Sequence, residues 1–261
     1  MRSRMRAERE RLDRALVTRG LVSSREEAAR VILAGAVRVG GSIADKPARL
    51  VSPMEEVMIT GPRSPYVGRG GEKLAAALDQ FKIDPKGFVC FDVGCSTGGF
   101  TDCLLQRGAS KVYAVDVGYG QFDWRLRQDP RVVLWERTNV RYLEPDRISE
   151  PIDLIVIDVS FISLTMVLPP VVQTLAPQGS IVTLIKPQFE VGKGQVGKGG
   201  IVRDDGLREG AVEKVAACAT EFGLMLVERI DSPVEGRKGN REILAWFRRG
   251  VTVASSAQQG S

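Results

Sequence analysis

The chain has 261 residues, of which 43% are hydrophobic, and a formal net charge of +5, a size that allows one substantial core and a small appended domain. Its longest uncharged apolar stretch, residues 161–176, contains two prolines and is shorter than the roughly 18 to 20 residues of a membrane span, so no stable membrane association is expected. With no histidine and no Cys-x-x-Cys pair among four cysteines, the composition argues against a metal site.

Positive charge is concentrated in the first quarter of the chain. Residues 1–71 carry 14 Lys and Arg against 8 Asp and Glu, whereas residues 72–261 carry 23 against 24. A basic module before a neutral domain indicates a polyanionic partner, and a solvated charged face is the alternative. The amino terminus is basic but no apolar segment follows it, so no secretory signal is expected and the predicted location is the cytoplasm.

The first elements in chain order are two predicted helices and a few short strands. Leu12 and Leu16 repeat at helical spacing, and Ser23 with Glu26 forms a capping box that opens the second helix. With its arginines along both helices, this order resembles the small RNA-binding domain named after ribosomal protein S-four, over about residues 9–59. The candidate RNA-binding residues are Arg6, Arg9, Arg11, Arg14, Arg19, Arg25, Arg30, Arg38, Lys46 and Arg69.

Beyond this module, apolar strands alternate with helices, which is typical of a parallel sheet covered on both faces. We therefore predict an α/β fold with a Rossmann-like sheet, preceded by a small α+β domain; the last two strands could pair antiparallel at one edge. The predicted organisation is a domain at residues 1–61, a Pro- and Gly-rich linker at 62–71, the sheet domain at 72–249 and a disordered tail at 250–261. The predicted helices span residues 72–81, 99–106, about 164–175 and 205–222, and the predicted strands span residues 88–93, 111–116, 132–135, 153–158, 180–185, 224–230 and 242–247.

The first turn of this sheet, residues 92–99, has the sequence Asp-Val-Gly-Cys-Ser-Thr-Gly-Gly. In a doubly wound sheet a ligand lies beyond the carboxyl ends of the strands, and glycines let the backbone approach it closely. The spacing differs from the Gly-x-Gly-x-x-Gly of dinucleotide folds, and Asp116 ends the next strand, where a carboxylate can accept both ribose hydroxyls. These features indicate an adenosine-like ligand without a pyrophosphate, such as S-adenosylmethionine; ordinary turn glycines are the alternative.

A second glycine-rich segment, residues 192–199, matches the phosphate-loop pattern Gly-x-x-x-x-Gly-Lys. Gly199 stands where that pattern needs the Ser or Thr that binds magnesium, and no helix is predicted directly after it. Nucleoside triphosphate binding is therefore not expected. We interpret residues 187–203 as a flexible basic lid that contacts RNA phosphates or closes over the site.

Two lysines and two carboxylates, Lys73, Lys186, Asp158 and Glu242, are each predicted beside a strand or helix end of this sheet. Methyl transfer to a ribose hydroxyl needs a group that accepts the proton as the new bond forms. A lysine serves only when it is neutral, and a neighbouring ammonium, a sulfonium and burial all disfavour the charged form of Lys186. The carboxylates would hold the lysines in position, and for each residue an ordinary salt bridge is the alternative.

Several motifs of the chain match one family in register. They are Gly68-Arg69-Gly70-Gly71-Glu72-Lys73-Leu74, the turn at residues 92–101, Asp116-Val117-Gly118-Tyr119-Gly120-Gln121, Glu136-Arg137-Thr138-Asn139, Asp158-Val159-Ser160-Phe161-Ile162-Ser163 and Lys186-Pro187-Gln188-Phe189-Glu190. With these motifs the chain resembles the TlyA, or haemolysin-A-like, ribosomal RNA methyltransferases over nearly its whole length.

The resemblance implies an FtsJ-like, S-adenosylmethionine-dependent methyltransferase domain joined to the RNA-binding domain. It implies that Lys73, Asp158, Lys186 and Glu242 form a catalytic tetrad that methylates a cytidine 2'-hydroxyl in ribosomal RNA within ribosomal subunits. Thr138 and Asn139 would lie near the adenine end of the cofactor. The candidate cofactor-binding residues are then Gly94, Ser96, Thr97, Gly98, Gly99, Phe100, Asp116, Val117, Thr138, Asn139 and Asp158. We expect a monomer.

Three alternatives stay open at this point. Some family members carry a longer helical carboxyl terminus and modify both subunits, whereas the tail after Trp246 is short here, so large-subunit and dual specificity are both possible. The family's other name suggests a membrane-lytic haemolysin, which the absence of a strongly amphipathic lytic helix opposes. The last is a ribosome-assembly factor that binds RNA through an inert methyltransferase fold, which the intact tetrad opposes.

Overall fold

A computed structural model describes residues 9–22, 24–33, 35–60, 64–236 and 239–250. The amino-terminal domain contains β1 (Glu10–Arg11), α1 (Leu12–Thr18), α2 (Arg25–Leu33), β2 (Val37–Val39), β3 (Ser42–Ile43), β4 (Leu50–Val51) and β5 (Val57–Ile59). β3, β2 and β5 form an antiparallel sheet in that order, and β1 pairs with β4. The two helices pack on this framework around a small core of their own that includes Leu12, Leu16, Ile32 and Val37.

The start of α2 differs from the predicted capping box. The predicted cap, Ser23, lies outside the described residues, and the helix begins at Arg25. The Ser24 hydroxyl accepts a hydrogen bond from the Glu27 backbone N–H at 3.1 Å, which satisfies one of the free N–H groups of the first turn. The helix therefore begins one residue later than a cap at Ser23 would place it.

The carboxyl-terminal domain is a seven-stranded sheet with helices on both faces. Its elements are α3 (Arg69–Gln80), β6 (Val89–Val93), α4 (Gly99–Gln106), β7 (Lys111–Val115), α5 (Trp124–Arg127), β8 (Val132–Trp135), β9 (Ile152–Ile157), α6 (Leu168–Val172), β10 (Leu175–Ile185), α7 (Pro187–Glu190), α8 (Asp205–Glu221), β11 (Leu224–Asp231) and β12 (Ile243–Arg249). The α/β class predicted from the sequence is confirmed.

The strand order is β11-β12-β10-β9-β6-β7-β8. The five strands from β10 to β8 are parallel, and β12 pairs antiparallel with both β10 and β11. The chain enters this sheet at β6, adds β7 and β8 on one side of it, and then crosses to the other side of β6 to form β9. The direction of winding therefore reverses between β6 and β9, and this is the point where α/β sheets bind ligands.

Both faces of the central strands of the sheet are buried, as the near-continuous apolar strands predict. Along β9, Leu154 and Val156 pack on the face covered by α3 and α4, and Ile155 and Ile157 pack on the opposite face against α6 and α8. The parallel strands are therefore held rigidly from both sides. No helix in the described part of the chain is long and apolar enough to cross a membrane.

Three elements depart from their predicted positions. α3 begins at Arg69 rather than Glu72, so the helix takes up the end of the predicted linker. The predicted helix at 164–175 is a 3-10 turn followed by five-residue α6, whose two prolines stand in its first turn, where a missing N–H costs nothing. The predicted antiparallel pairing of the last two strands is confirmed, but only β11 lies at the edge, since β12 is inserted beside β10.

Candidate active site

Lys73 and Glu242 form a buried ion pair. Lys73 lies one turn into α3, and Glu242 directly precedes β12. The Lys73 Nζ lies 2.5 Å from Glu242 Oε2, and the two residues are only 8% and 3% exposed. Charges buried to this extent are stable only when they are paired, so each residue fixes the position of the other.

Asp158 and Lys186 form a second pair at the carboxyl ends of β9 and β10. The Lys186 Nζ lies 2.6 Å from Asp158 Oδ1 and donates a hydrogen bond to Ser160 Oγ at 2.9 Å. The contact with Asp158 is a close ion pair that is not aligned as a hydrogen bond, and within the described residues Asp158 Oδ1 has no hydrogen-bond partner. A buried carboxylate oxygen thus keeps unused acceptor capacity.

The sheet register brings these two pairs to one edge. Ile185 of β10 pairs with Ile243 of β12 in an antiparallel ladder, so Lys186 and Glu242 occupy the next facing positions. Asp158 follows the last residue of β9 and donates its backbone N–H to the Val93 carbonyl of β6 at 2.9 Å. All four predicted tetrad residues therefore lie along one edge of the sheet, from Asp158 at the switch point to the end of β10 and the start of β12.

The turn after β6 borders Asp158 directly. Gly94 has φ +86°, and a Cβ at this residue would lie 2.5 Å from the Asp158 carbonyl oxygen, so no other residue fits there. Gly98 has φ +95°, and its Cβ would lie 2.5 Å from Leu126. Phe100, in the first turn of α4, is buried against Gly70 of α3. The turn is therefore shaped by close packing on both sides.

Asp116 is held at the end of β7 by the turn itself. Its Oδ2 accepts a hydrogen bond from the Ser96 N–H at 2.8 Å, and its Oδ1 accepts one from the Gly118 N–H at 2.6 Å. The Thr138 N–H donates to the Asp116 carbonyl at 3.0 Å, which places the Thr138–Asn139 segment beside it. Each carboxylate oxygen keeps a second acceptor site, so the bound carboxylate can still receive two ligand hydroxyls.

The remaining cofactor candidates lie around this turn. Thr97, Gly99, Val117 and Asn139 share the rim formed by the turn and the segments after β7 and β8. The Thr97 carbonyl accepts the Asp123 N–H, Gly99 begins α4, Val117 is exposed, and Asn139 Oδ1 caps the short 3-10 helix after it by accepting the Arg141 N–H. The structure thus brings the predicted set together around one turn.

One buried carboxyl beneath the turn was not predicted as a site residue. Asp92, the fourth residue of β6, is fully buried, and its Oδ2 accepts hydrogen bonds from the Thr101 N–H and hydroxyl at 3.0 and 2.6 Å. Burial raises the pKa of Asp92 to about 7, and the charges of Asp158 and Asp116 add to the rise, whereas the bonds from Thr101 oppose it. The sequence offered one signal, an acid inside an apolar strand.

Three further residues organise the loops around Lys186 and Glu242. Glu190 Oε2 accepts a hydrogen bond from the Ser163 hydroxyl at 2.5 Å and Oε1 accepts one from the Leu164 N–H at 2.7 Å, so it ties α7 to the loop after β9. The Asn240 side chain, which is 2% exposed, accepts the Val202 N–H at 3.0 Å and donates to the Gly200 carbonyl at 2.8 Å. These two bonds hold the end of the predicted lid at 187–203 next to the segment that leads to Glu242.

Phe161 is the third of these residues and the most unusual in conformation. It has φ +65°, a left-handed conformation that a bulky residue rarely adopts, and it is 91% exposed. Its ring centroid lies 5.1 Å from that of Phe189. Strain and exposure of this kind concentrate at functional sites, and nothing in the residue types alone indicates the left-handed backbone.

Two groups stand out among the candidate RNA-binding residues. In the first, the guanidinium is occupied within the domain: Arg11 and Arg25 pair with buried Asp13, and Arg19 donates to the carbonyls of Ser52 and Glu55. In the second, Arg9, Arg14 and Lys46 are exposed. Of the other candidates, Arg38 donates to the Gly41 carbonyl, Arg30 is half-buried, Arg69 packs against Gly35, and Arg6 lies outside the described residues.

The sheet order, the glycine turn at the switch point and the paired lysines together define a protein of the Rossmann-like methyltransferase class. The FtsJ-like methyltransferase family model matches residues 66–249, and the S4 domain model matches residues 10–57. A 16S/23S rRNA (cytidine-2'-O)-methyltransferase, TlyA, of Mycobacterium tuberculosis is 50% identical over 253 residues, which are 97% of this chain and 94% of the relative.

Two further comparisons agree with this one. Hemolysin A of Brachyspira hyodysenteriae is 43% identical over 238 residues, 91% of this chain and 99% of the relative. A solved structure of a Streptococcus thermophilus protein described as a hemolysin is 42% identical, with a TM-score of 0.74 over 94% of this chain and 90% of that one. The chain therefore belongs to the TlyA family of FtsJ-like methyltransferases, and the resemblance predicted from its motifs is confirmed.

Proposed function

We propose that this protein transfers a methyl group from S-adenosylmethionine to the 2'-hydroxyl of a cytidine in ribosomal RNA within ribosomal subunits, in the cytoplasm. The observation that carries the proposal is the placement of two Lys–carboxylate pairs, one buried and one partly exposed, along one edge of the sheet that also carries the glycine turn. The M. tuberculosis relative named for this reaction supports the substrate and the position of the methyl group.

The residues of the turn fit S-adenosylmethionine. Asp116 is oriented by two backbone N–H groups and keeps acceptor sites for the two ribose hydroxyls. Asp158, whose backbone carbonyl borders Gly94, has a carboxylate that keeps acceptor sites beside its contact with Lys186, and it suits the ammonium of the methionine part. Thr138 and Asn139 would hold the adenine end. When bound, the cofactor supplies a methyl group on a cationic sulfur.

In this proposal each tetrad residue has a separate task. Lys186 accepts the proton of the 2'-hydroxyl as the oxygen forms its bond to the methyl carbon, so Lys186 must reach the reaction as a neutral amine. Lys73, held by its ion pair with Glu242 at 2.5 Å, helps to position the ribose hydroxyl. Asp158 holds Lys186 in position at the end of its strand.

Two features suit an RNA substrate. Phe161 follows Ser160 directly, and Phe189 lies three residues after Lys186. Together they offer an exposed aromatic face on which an unstacked base can lie. The S4 domain supplies a separate basic surface for phosphates. A nucleotide extruded from the RNA would then present its ribose to the tetrad.

The test is transfer of tritium-labelled methyl from S-adenosylmethionine to purified small and large ribosomal subunits that lack the modification. Labelled RNA is digested to nucleosides, and the labelled product should co-migrate with 2'-O-methylcytidine. Using both subunits also decides between single and dual specificity. Label on a base, or no transfer to either subunit, would overturn the proposal; the second result would favour an RNA-binding protein with an inert methyltransferase fold.

A further inference from the structure

Lys186 has a second oxygen neighbour that the reaction described above leaves unused. Besides Asp158 Oδ1 at 2.6 Å, the Lys186 Nζ contacts Ser160 Oγ at 2.9 Å. Asp158 and Ser160 lie two residues apart on the loop that follows β9, so one short segment supplies both oxygens. Lys73, the other lysine of the site, contacts a single carboxylate oxygen among the described residues.

A second acceptor matters because of the shape of a neutral amine. A charged lysine has three N–H donors around Nζ, whereas the neutral amine that accepts a proton has two N–H bonds and one lone pair. With one acceptor, the amine can rotate about the Cε–Nζ bond and place its lone pair in more than one staggered position. With a hydroxyl that accepts one hydrogen and a carboxylate oxygen close on another side, this rotation is restricted, and the lone pair takes the remaining direction.

The loop that carries Ser160 is anchored at its far end. Glu190, which is 5% exposed, accepts hydrogen bonds from the Ser163 hydroxyl and the Leu164 N–H. Between Ser160 and this anchor, Phe161 adopts its left-handed φ of +65°. A strained residue is retained only where its surroundings over-determine it, so the segment that carries Ser160, although exposed, is anchored rather than loose.

We propose that Ser160 is a positioning residue that aims the proton-accepting lone pair of Lys186. Its hydroxyl oxygen accepts one Nζ–H of the neutral lysine at 2.9 Å, the Asp158 carboxylate at 2.6 Å confines the amine on a second side, and the lone pair is left to face the ribose hydroxyl. The inference rests on the proposed function. The proton moves from the 2'-oxygen to Lys186 Nζ, and the electron pair of the broken carbon–sulfur bond stays on sulfur, so charge and atoms balance. Ser160 itself neither gains nor loses a proton.

The experiment compares three substitutions in the full-length protein, under single-turnover conditions with intact ribosomal subunits and labelled methyl donor. Ser160→Ala removes the acceptor, Ser160→Cys keeps the size but offers a weak acceptor, and Ser160→Thr keeps the hydroxyl. We expect Ala and Cys to lower the rate about ten- to a hundredfold, which is part of the contribution of a general base, and Thr to recover most of it. Affinities for S-adenosylmethionine and for subunits should change less than about twofold, well under 1 kcal/mol.

Ser110→Ala is the matched control, because Ser110 bonds only the Gly87 and Phe88 carbonyls among the described residues, at the amino end of β6. It should transfer methyl at the wild-type rate. A full rate in Ser160→Ala, or a loss that saturating subunits restore, would overturn the positioning role while leaving the proposed function intact. If wild-type protein transfers no methyl, both proposals fail. Equal losses in Thr, Cys and Ala would show that the loop geometry, not the hydroxyl, is required.

Discussion

At the scale of single residues, substitutions at Lys186 test whether this lysine accepts a proton or only supplies a positive charge. Lys186→Ala and Lys186→Arg should both lower methyl transfer about a hundred- to ten-thousandfold, because a guanidinium stays protonated and cannot accept a proton. Cofactor affinity, measured by calorimetry, should be largely unchanged. Lys86→Arg, an exposed lysine, is the control. A near-wild-type rate in Lys186→Arg would leave Lys186 only a positioning role.

Asp92 gives a residue-scale prediction about pH. Its pKa is raised to about 7 by burial, so the folded protein resists its ionisation while the unfolded chain ionises at about pH 4. Unfolding then releases a proton between these values, and the free energy of unfolding falls as pH rises through that window. The loss is on the order of a few kcal/mol. Below about pH 4 this destabilising contribution of Asp92 vanishes, and above about pH 7 it stays constant.

Asp92→Asn tests this directly, since an amide oxygen can still accept the two hydrogen bonds from Thr101. The difference in unfolding free energy between variant and wild type should grow in favour of the variant from about pH 4 to about 7. Urea denaturation at several pH values measures it. A difference that does not change with pH would mean that Asp92 ionises in the folded protein as easily as in the unfolded chain.

Residue types predicted the turn and the four charged residues that the structure brings together, because glycine spacing and strand ends are visible in the sequence. Ser160 and Phe161 could not be assigned roles in the same way. A serine contact depends on where a loop turns back, and the left-handed conformation of Phe161 contradicts its local preference. Both follow from tertiary constraints, chiefly the Glu190 anchor.

At the scale of elements, short and continuously apolar strands were predicted closely, and mixed segments were not. β8 matches its predicted bounds, whereas β10 begins at Leu175, five residues before the predicted strand. The register of β10 against β9 shifts between Leu175 and Ser180, so an irregular, partly exposed stretch joins a buried one. No period of two or of 3.6 runs through such a segment, and a sequence pattern cannot show it.

The loop at 192–203 gives an element-scale prediction. Asn240→Ala leaves the buried Val202 N–H and the Gly200 carbonyl without their partner, which should cost about 1 to 3 kcal/mol of unfolding free energy. Because Asn240 lies two residues before Glu242, methyl transfer should fall as well. Urea midpoints and single-turnover rates measure both effects. Gln173→Ala, which removes an exposed amide, should change stability by less than about 0.5 kcal/mol. An equal effect in the two variants would mean that the Asn240 hydrogen bonds do not stabilise this loop.

At the scale of the whole molecule, the two domains meet at the helix that carries Lys73. The Arg69 side chain packs against Gly35, where an added Cβ would lie 3.0 Å from Arg69 Cδ. Arg69 and Lys73 lie one turn apart on α3 and so share a helix face. Residues 64–68 are also docked on α4, since the Val67 N–H donates to Asp102 at 2.9 Å and Gln106 donates to the Pro65 carbonyl. The predicted linker is therefore a fixed connection over these residues.

The two groups of basic residues predict two different outcomes of substitution. Replacing exposed Arg14 and Lys46 by alanine should leave the thermal midpoint unchanged and reduce the log–log salt slope of RNA binding by about 0.7 to 0.9 for each phosphate that the variant no longer binds. Replacing Arg19 should instead lower the thermal midpoint, because the Ser52 and Glu55 carbonyls lose a charged donor worth about 1.5 to 3 kcal/mol. Thermal melts and binding titrations at several salt concentrations separate these effects. An unchanged salt slope in the Arg14 and Lys46 variant would mean that this face does not bind RNA, and the phosphate-binding surface would then have to lie on the rim of the methyltransferase domain.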